Sequence, residues 1–261
     1  MPDSVLAIDH VSHSFGGLKA VDDCSFTVER GTITALIGPN GAGKTTLVNL
    51  VSGAIACRKG SIVFDGHAIS GRPSYQIAQR GLIRSFQISR ELGSLTVLEN
   101  LLVVVPDQRG ESLFNTFFRP KIGREETRIN VAKALGVLET FSLYAQRDEY
   151  AKNLSGGQKR LLELARAVMA KPKLLLLDEP MASINPALVA QISLHLRALR
   201  DRGITLLMIE HNLEAVDELC DDVVVMAEGR VLARGRLSDL RRNEQVVRAY
   251  LGGMLVNSAA S

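Results

Sequence analysis

Long apolar runs are missing from this sequence of 261 residues. Stretches such as Leu101 to Val105 and Leu174 to Leu177 fall far short of the ~20 residues that a membrane-spanning helix needs, so the chain is not expected to cross a bilayer itself. The opening MPDSVLAIDH lacks the charged-then-apolar order of a secretory signal. Cysteine is scarce. Cys24, Cys57 and Cys220 lie far apart without metal-type spacing and read as reduced, mostly buried thiols of a cytosolic protein. No charge of one sign dominates: 31 basic against 28 acidic residues is too mild a balance to argue for a nucleic-acid partner. There is no internal repeat, and only a small polar tail at 257–261 is compositionally simple. What remains is an ordinary apolar share, 46%, in a chain long enough to bury a sizeable core without disulfides.

The elements alternate. Val5 to His10, Ser25 to Glu29, Ile33 to Ile37 and Ser61 to Asp65 read as short strands bounded by Gly or Asp, the last ending in the turn Asp65-Gly66. From about Ser89 to Lys171 the sequence is mostly helical, with apolar residues at 131, 134, 135, 138 and 141. Leu174 to Leu177, Ile204 to Ile209 and Val223 to Met226 are continuous apolar runs, as expected of strands buried on both faces. Helical stretches at Pro186 to Arg200 and Asn212 to Leu219 separate them. The expectation is an α/β fold interrupted by a helical insertion.

Three motifs carry chemistry. Gly38-Pro39-Asn40-Gly41-Ala42-Gly43-Lys44-Thr45-Thr46 follows a strand and precedes a helix, the context that a phosphate loop requires. Its glycines let backbone N–H groups turn inward onto phosphate oxygens, and the helix N-terminus adds partial positive charge. Lys44 supplies a full charge to the β- and γ-phosphates, and the Thr45 hydroxyl can ligate Mg²⁺. Second, the strand at Leu174 to Leu177 runs into Asp178 and Glu179, at the strand end where an α/β sheet places ligand chemistry. Asp178 suits the Mg²⁺ shell and Glu179 suits a base that polarises attacking water. Third, Leu154-Ser155-Gly156-Gly157-Gln158 opens a helix with the form of a capping box. A capping box needs no glycines, and Gly156 and Gly157 cost helix stability; they make sense if something approaches the backbone closely, such as a γ-phosphate. Two anion-binding helix starts for one triphosphate suggest a head-to-tail dimer, each nucleotide held between the phosphate loop of one copy and the Ser155 loop of the other.

Phosphate loop, LSGGQ and LLLLDE, in that order, resemble the ATPase subunit of ATP-binding cassette (ABC) transporters over nearly the whole chain. The resemblance implies a phosphate-loop NTPase core at about 1–88 and 172–252. It also implies an N-terminal antiparallel β subdomain, a helical subdomain at about 89–171 and a flexible tail at 253–261. It implies ATP and Mg²⁺ as ligands. Phe15 matches the aromatic ring that stacks on adenine, Gln87 the glutamine that touches Mg²⁺ and the catalytic water, and His211 the switch histidine on the γ-phosphate. Catalysis would then rest on Glu179, His211 and Gln87. The nucleotide would be held by Phe15, Gly38, Asn40, Gly41, Gly43, Lys44, Thr45 and Thr46, with Ser155, Gly156, Gly157 and Gln158 of a second copy. The metal would be held by Thr45, Gln87 and Asp178. His10, His13, His67 and His195 match nothing and are expected to be surface or packing residues.

One departure stands out. Where the family commonly reads Ser-Ala-Leu-Asp after Glu-Pro, this chain has Met181-Ala182-Ser183-Ile184-Asn185-Pro186, and Asn185-Pro186 also reads as a helix cap with proline first in the helix. That variant resembles the branched-chain amino-acid uptake ATPases, as do Phe15 to Val21, the insert around Phe117-Phe118-Arg119 and the ending Val247 to Gly252. ATPases of lipopolysaccharide export and urea uptake look similar. The resemblance implies a peripheral subunit on the cytoplasmic face of the inner membrane, paired with a second ATPase copy or homologue. Integral permease subunits and a solute-binding protein would complete the system. The segment Leu92 to Val105 is read either as part of the docking surface for the membrane partner or as plain core. A soluble ABC ATPase acting on nucleic acid or ribosomes would be expected to carry two cassettes, coiled coils or zinc motifs, and none is visible. A GTPase would carry Asn-Lys-x-Asp, which the sequence lacks.

Overall fold

A computed structural model describes residues 4–85, 92–106 and 120–249, without the side chains of 120–124. The chain divides into two units, Met1–Gln87 with Lys173–Ser261, and Ile88–Pro172.

The first unit holds two sheets. Strands β1 (Ser4–Phe15) and β2 (Leu18–Glu29) form an antiparallel hairpin around Gly16-Gly17. Each is 12 residues long, where the sequence suggested short strands. The pairing shifts register between Ile8 and Val11 and again between Val11 and His13. Such bulges interrupt the period-2 alternation by which a continuous strand would be recognised. β4 (Lys59–Phe64) and the two-residue β5 (His67–Ala68) complete this antiparallel sheet in the order β2-β1-β4-β5. The turn between them places Asp65 at φ 49° and Gly66 at φ 76°, the paired positive angles of a tight hairpin turn.

The second sheet has the order β10-β9-β3-β8-β7-β6. Its centre is β3 (Ile33–Ile37), β8 (Thr205–Ile209) and β7 (Leu174–Asp178), parallel and buried at every position, as their unbroken apolar runs predict. β9 (Asp222–Ala227) is parallel to β3, and the edge strand β10 (Arg230–Gly235) returns antiparallel to β9. The three-residue β6 (Leu82–Arg84) pairs with β7 at the other edge. The expected fold class, an α/β phosphate-loop core with an N-terminal antiparallel β sheet, is the one observed. Helix α1 (Lys44–Val51) joins β3 to the first sheet, and Leu47, Val48, Leu50 and Val51 pack into one cluster with Leu6, Ile8, Leu36, Ile62 and Phe64. α2 (Ser74–Gln79) precedes β6. Cys24, Cys57 and Cys220 are free, and burial pushes the Cys220 thiol up to about 12.

In the second unit, α3 (Val97–Leu102) is closed by a capping box between Thr96 and Glu99. The fully buried Asn100 staples the segment before it, exchanging hydrogen bonds with Leu92 and donating to the Leu95 and Thr96 carbonyls. α4 (Pro120–Thr140) and two 3₁₀ turns lead to α5 (Gly156–Met169), which buries Leu161, Leu162, Leu164, Ala165, Ala167 and Met169. The stretch 92–105 is divided: Val97 and Leu101 are core, whereas Leu92 and Val103 are exposed. In the first unit, α6 (Pro186–Asp201) follows β7, α7 (Leu213–Leu219) follows β8 and α8 (Leu237–Leu240) follows β10. Among the described residues no helix is long and apolar enough to cross a membrane.

Candidate nucleotide site

Parallel pairing fixes the site. Leu36 of β3 and Asp178 of β7 both lie opposite Ile209 of β8. The segments that leave β3, β7 and β8 therefore emerge side by side at the carboxyl edge of the sheet, where α/β proteins bind ligands. These segments are the phosphate loop, Asp178-Glu179 and Glu210-His211.

Glycine is obligatory twice in the loop. A Cβ on Gly38 would meet the Met226 carbonyl oxygen at 2.1 Å, and one on Gly43, at φ 94°, would meet that of Ala20 at 2.1 Å. Gly43 is the N-cap of α1, and no side chain caps that helix. In contrast, α3, α5, α6 and α7 are capped by Thr96, Ser155, Asn185 and Asn212. Nor is there an acidic residue in the first turn of α1. An uncapped helix start without acids has its leading N–H groups ready for an anion. Asn40, Gly41 and Thr45 are exposed there, and Thr46 is half-buried.

Lys44 is only 6% exposed, and its Nζ donates to the Gly38 and Pro39 carbonyls at 2.7 and 2.9 Å. Burial lowers its pKa, while the nearby charges of Glu179 and Asp178 oppose the shift. Asp178 is 4% exposed and accepts from Arg84 Nη2 at 3.0 Å. Arg84 also reaches α1, donating to Asn49 Oδ1 at 2.5 Å and Ser52 Oγ at 3.3 Å. Glu179, at φ 50°, is half-buried, and its Oε1 lies 3.2 Å from His211 Nε2. One corner of the first unit thus gathers Lys44, Asp178, Glu179 and His211.

Phe15 is 52% exposed at the hairpin tip, not in a core. It lines a cleft of about 680 Å³ with His13, Lys19, Ile55, Arg58 and Lys59. His13 packs against its ring edge-on, with centroids 4.7 Å apart. The strand bearing Phe15 is tied to the loop through β2, since Ala20 touches Gly43. Gln87 lies outside the described residues, as do Phe117-Phe118-Arg119 and residues 250–261. The backbone leading to Gln87 is placed: Ser85 N–H donates to the Leu176 carbonyl at 2.9 Å, beside Asp178.

Ser155 belongs to the second unit. Its capping box is complete, with Gln158 N–H donating to Ser155 Oγ at 3.3 Å and Ser155 N–H to Gln158 Oε1 at 2.9 Å. Ser155 and Gly156 are exposed, Gly157 and Gln158 half-buried. Two residues that sequence reasoning passed over prove central: Arg84, which holds Asp178, and Glu210, a buried acid beside His211. Each lies next to a motif residue, but its partner is set by tertiary approach.

The sheet order and the loop between β3 and α1 define a phosphate-loop nucleotide-binding protein. Residues 21–182 match the ABC transporter family. The chain is 41% identical over 248 residues to a probable branched-chain amino acid transport ATP-binding protein LivG of Archaeoglobus fulgidus, covering 95% of both chains. It is 36% identical to the high-affinity branched-chain amino acid transport ATP-binding protein LivG of Salmonella typhimurium, covering 97% of this chain and 99% of that one. A crystal structure of the ADP conformation of an ATP-binding cassette of an ABC transporter superposes with a TM-score of 0.82 at 37% identity, covering 95% of this chain and 99% of that one. The chain belongs to the ABC transporter family, as one of its ATP-hydrolysing subunits.

Proposed function

We propose that two copies of this chain close head to tail on two Mg-ATP and drive a membrane permease that imports branched-chain amino acids or a related small solute. The observation that carries this is the division of the anion sites. Lys44, Asp178, Glu179 and His211 converge in one unit, while the helix start at Ser155, whose capping box engages the Ser155 and Gln158 N–H groups with Gly156 and Gly157 between them, is exposed in the other. A Cβ on Gly156 would meet nothing within 4 Å, so this chain's own packing does not require glycine there. Close approach by a phosphate of the partner's nucleotide supplies the reason.

In this reading Phe15 stacks on adenine, and Gly38, Asn40, Gly41, Gly43 and Thr46 wrap the phosphates. Lys44 exchanges its loop carbonyls for the β- and γ-phosphates. Among the described residues no cluster of three acid, His or Cys side chains could hold a metal by itself. Thr45 and Asp178 fit Mg²⁺ arriving with the nucleotide, because that ion is commonly held by one or two protein oxygens together with phosphates and water. Gln87 is assigned to the same shell. When bound, the ion neutralises phosphate charge. Glu179 takes a proton from the attacking water, oriented by His211 at 3.2 Å. Ser155, Gly156, Gly157 and Gln158 of the second copy close over the γ-phosphate, and its loss after hydrolysis lets the copies part.

The names of the relatives support branched-chain amino acids as the cargo. In this reading the subunit works on the cytoplasmic face of the inner membrane, held by permease subunits that a solute-binding protein serves. The test is Glu179→Gln, which should hold an ATP-bound dimer while hydrolysis falls at least about a hundredfold, the scale of a lost general base. Unchanged hydrolysis would remove Glu179 from the role. Lys44→Ala should weaken nucleotide binding itself.

A further inference from the structure

Glu210 is 3% exposed and forms no ion pair among the described residues. Its carboxylate is satisfied by backbone alone. Oε2 accepts from the N–H groups of His211 and Asn212 at 3.0 and 3.2 Å, and Oε1 accepts from Met181 N–H at 2.8 Å. One side chain therefore joins the loop after β8 to the loop after β7. The second loop is fixed at its start as well: Glu179 N–H donates to the Ile209 carbonyl at 3.0 Å, and Ala182 N–H returns to the Glu179 carbonyl at 3.1 Å. Beyond it the chain runs through exposed Ala182 and Ser183, the latter at φ 58°, to Asn185, whose side chain caps α6.

We propose that Glu210 is a positioning residue that locks the segment 181–185 to the His211 loop, so that the state of the nucleotide in one copy is relayed to the face offered to the second copy. This rests on the two-copy reading above. A buried carboxylate spanning two loops moves them together. If His211 is drawn toward a γ-phosphate, its backbone carries Glu210, and Glu210 carries Met181. A carboxylate has two acceptor oxygens for this task, whereas an amide of the same shape has one oxygen and one NH₂. Glu210→Gln must therefore turn a donor toward either Met181 N–H or the His211 and Asn212 pair, which breaks one arm and leaves the volume unchanged.

The experiment compares Glu179→Gln with the double variant Glu179→Gln, Glu210→Gln. Two quantities are read: MgADP affinity of single copies, and ATP-dependent dimerisation by sedimentation. The expected result is MgADP affinity within about threefold and dimer affinity weakened at least about tenfold, the scale of one lost charge-assisted hydrogen bond. Unchanged dimerisation, whatever the melting temperature does, overturns the proposal. So does a fall in MgADP affinity as large as the fall in dimerisation, because Glu210 would then act only inside one copy. Should the Gln variant fail to fold, Glu210→Asp, which keeps the charge and pulls it back from Met181, is read against the same outcomes. Failure of Glu179→Gln itself to dimerise is seen before Glu210 is altered; it removes the two-copy reading, and the proposal with it.

Discussion

Arg84 and Asp178, 94 residues apart, meet in a pair at 3.0 Å with both side chains largely buried. Arg84 leaves β6 on the way to Gln87 and Asp178 closes β7, so the pair joins the ends of neighbouring strands. Through Asn49 and Ser52 the same guanidinium grips the helix that follows the phosphate loop. Asp178 thus stands at the carboxyl edge of the sheet already oriented and compensated.

Removing Arg84 should show this. Arg84→Ala leaves a buried carboxylate without its cation, a change that typically costs about 3–5 kcal/mol. Denaturant unfolding of the nucleotide-free protein reads the loss. A Mg²⁺ titration at fixed ATP should also move to higher concentration, as a loosened Asp178 holds the ion less well. Arg84→Lys should recover only part of either, because Lys cannot reproduce the fork that spans Asp178 and Asn49. Unchanged unfolding would show the pair to be incidental.

Phe15 should act on binding and not on folding. An exposed ring contributes little to stability, so Phe15→Ala should unfold within about 0.5 kcal/mol of the parent. Stacking of a base on an aromatic ring is worth about 1–3 kcal/mol, so the KM for ATP should rise about tenfold or more with kcat retained. Phe15→Trp should restore it. A stability loss with unchanged KM would give Phe15 a structural role instead.

Acid should release Asp65. Hydrogen bonds from Lys173 and Arg30, both at 2.5 Å, hold its carboxyl down at about 2, below the usual 3.8. Folding therefore favours the ionised form. The stabilisation is complete above pH 3.8 and is lost as pH falls through about 2. Asp65→Asn keeps a residue that tolerates the positive φ of the turn and should flatten the stability profile in that window. The pair is partly exposed, so the effect should shrink in high salt.

Much of this was legible from the sequence where chemistry requires fixed spacing. The phosphate loop, LSGGQ and the acids after Leu177 could be placed because each motif sits at the junction of a strand or helix with its own local signature. β3, β7 and β8 were legible because burial on both faces leaves unbroken apolar runs. β6 was not, because three residues carry no period and only pairing with β7 makes them a strand. β10, Arg-Val-Leu-Ala-Arg-Gly, is a half-exposed edge whose apolar run is only three residues long. Arg84 and Glu210 stood next to known motifs yet carried no signal of their own. A buried charge is recognised by its partner, and both Asp178 for Arg84 and the Met181 N–H for Glu210 come from distant segments brought together by the sheet.

The claim that each site is built from two copies is tested most directly by mixing two disabled proteins. Lys44→Ala keeps an intact Ser155 loop, and Ser155→Arg keeps an intact phosphate loop. Each alone should hydrolyse ATP at background rate. In a head-to-tail pair of one of each, one site carries both defects and the other carries neither. Mixed in equal amounts and paired at random, they should regain about a quarter of the unmodified rate. A mixture no more active than its two components would mean that each chain completes its own site, and would contradict the account.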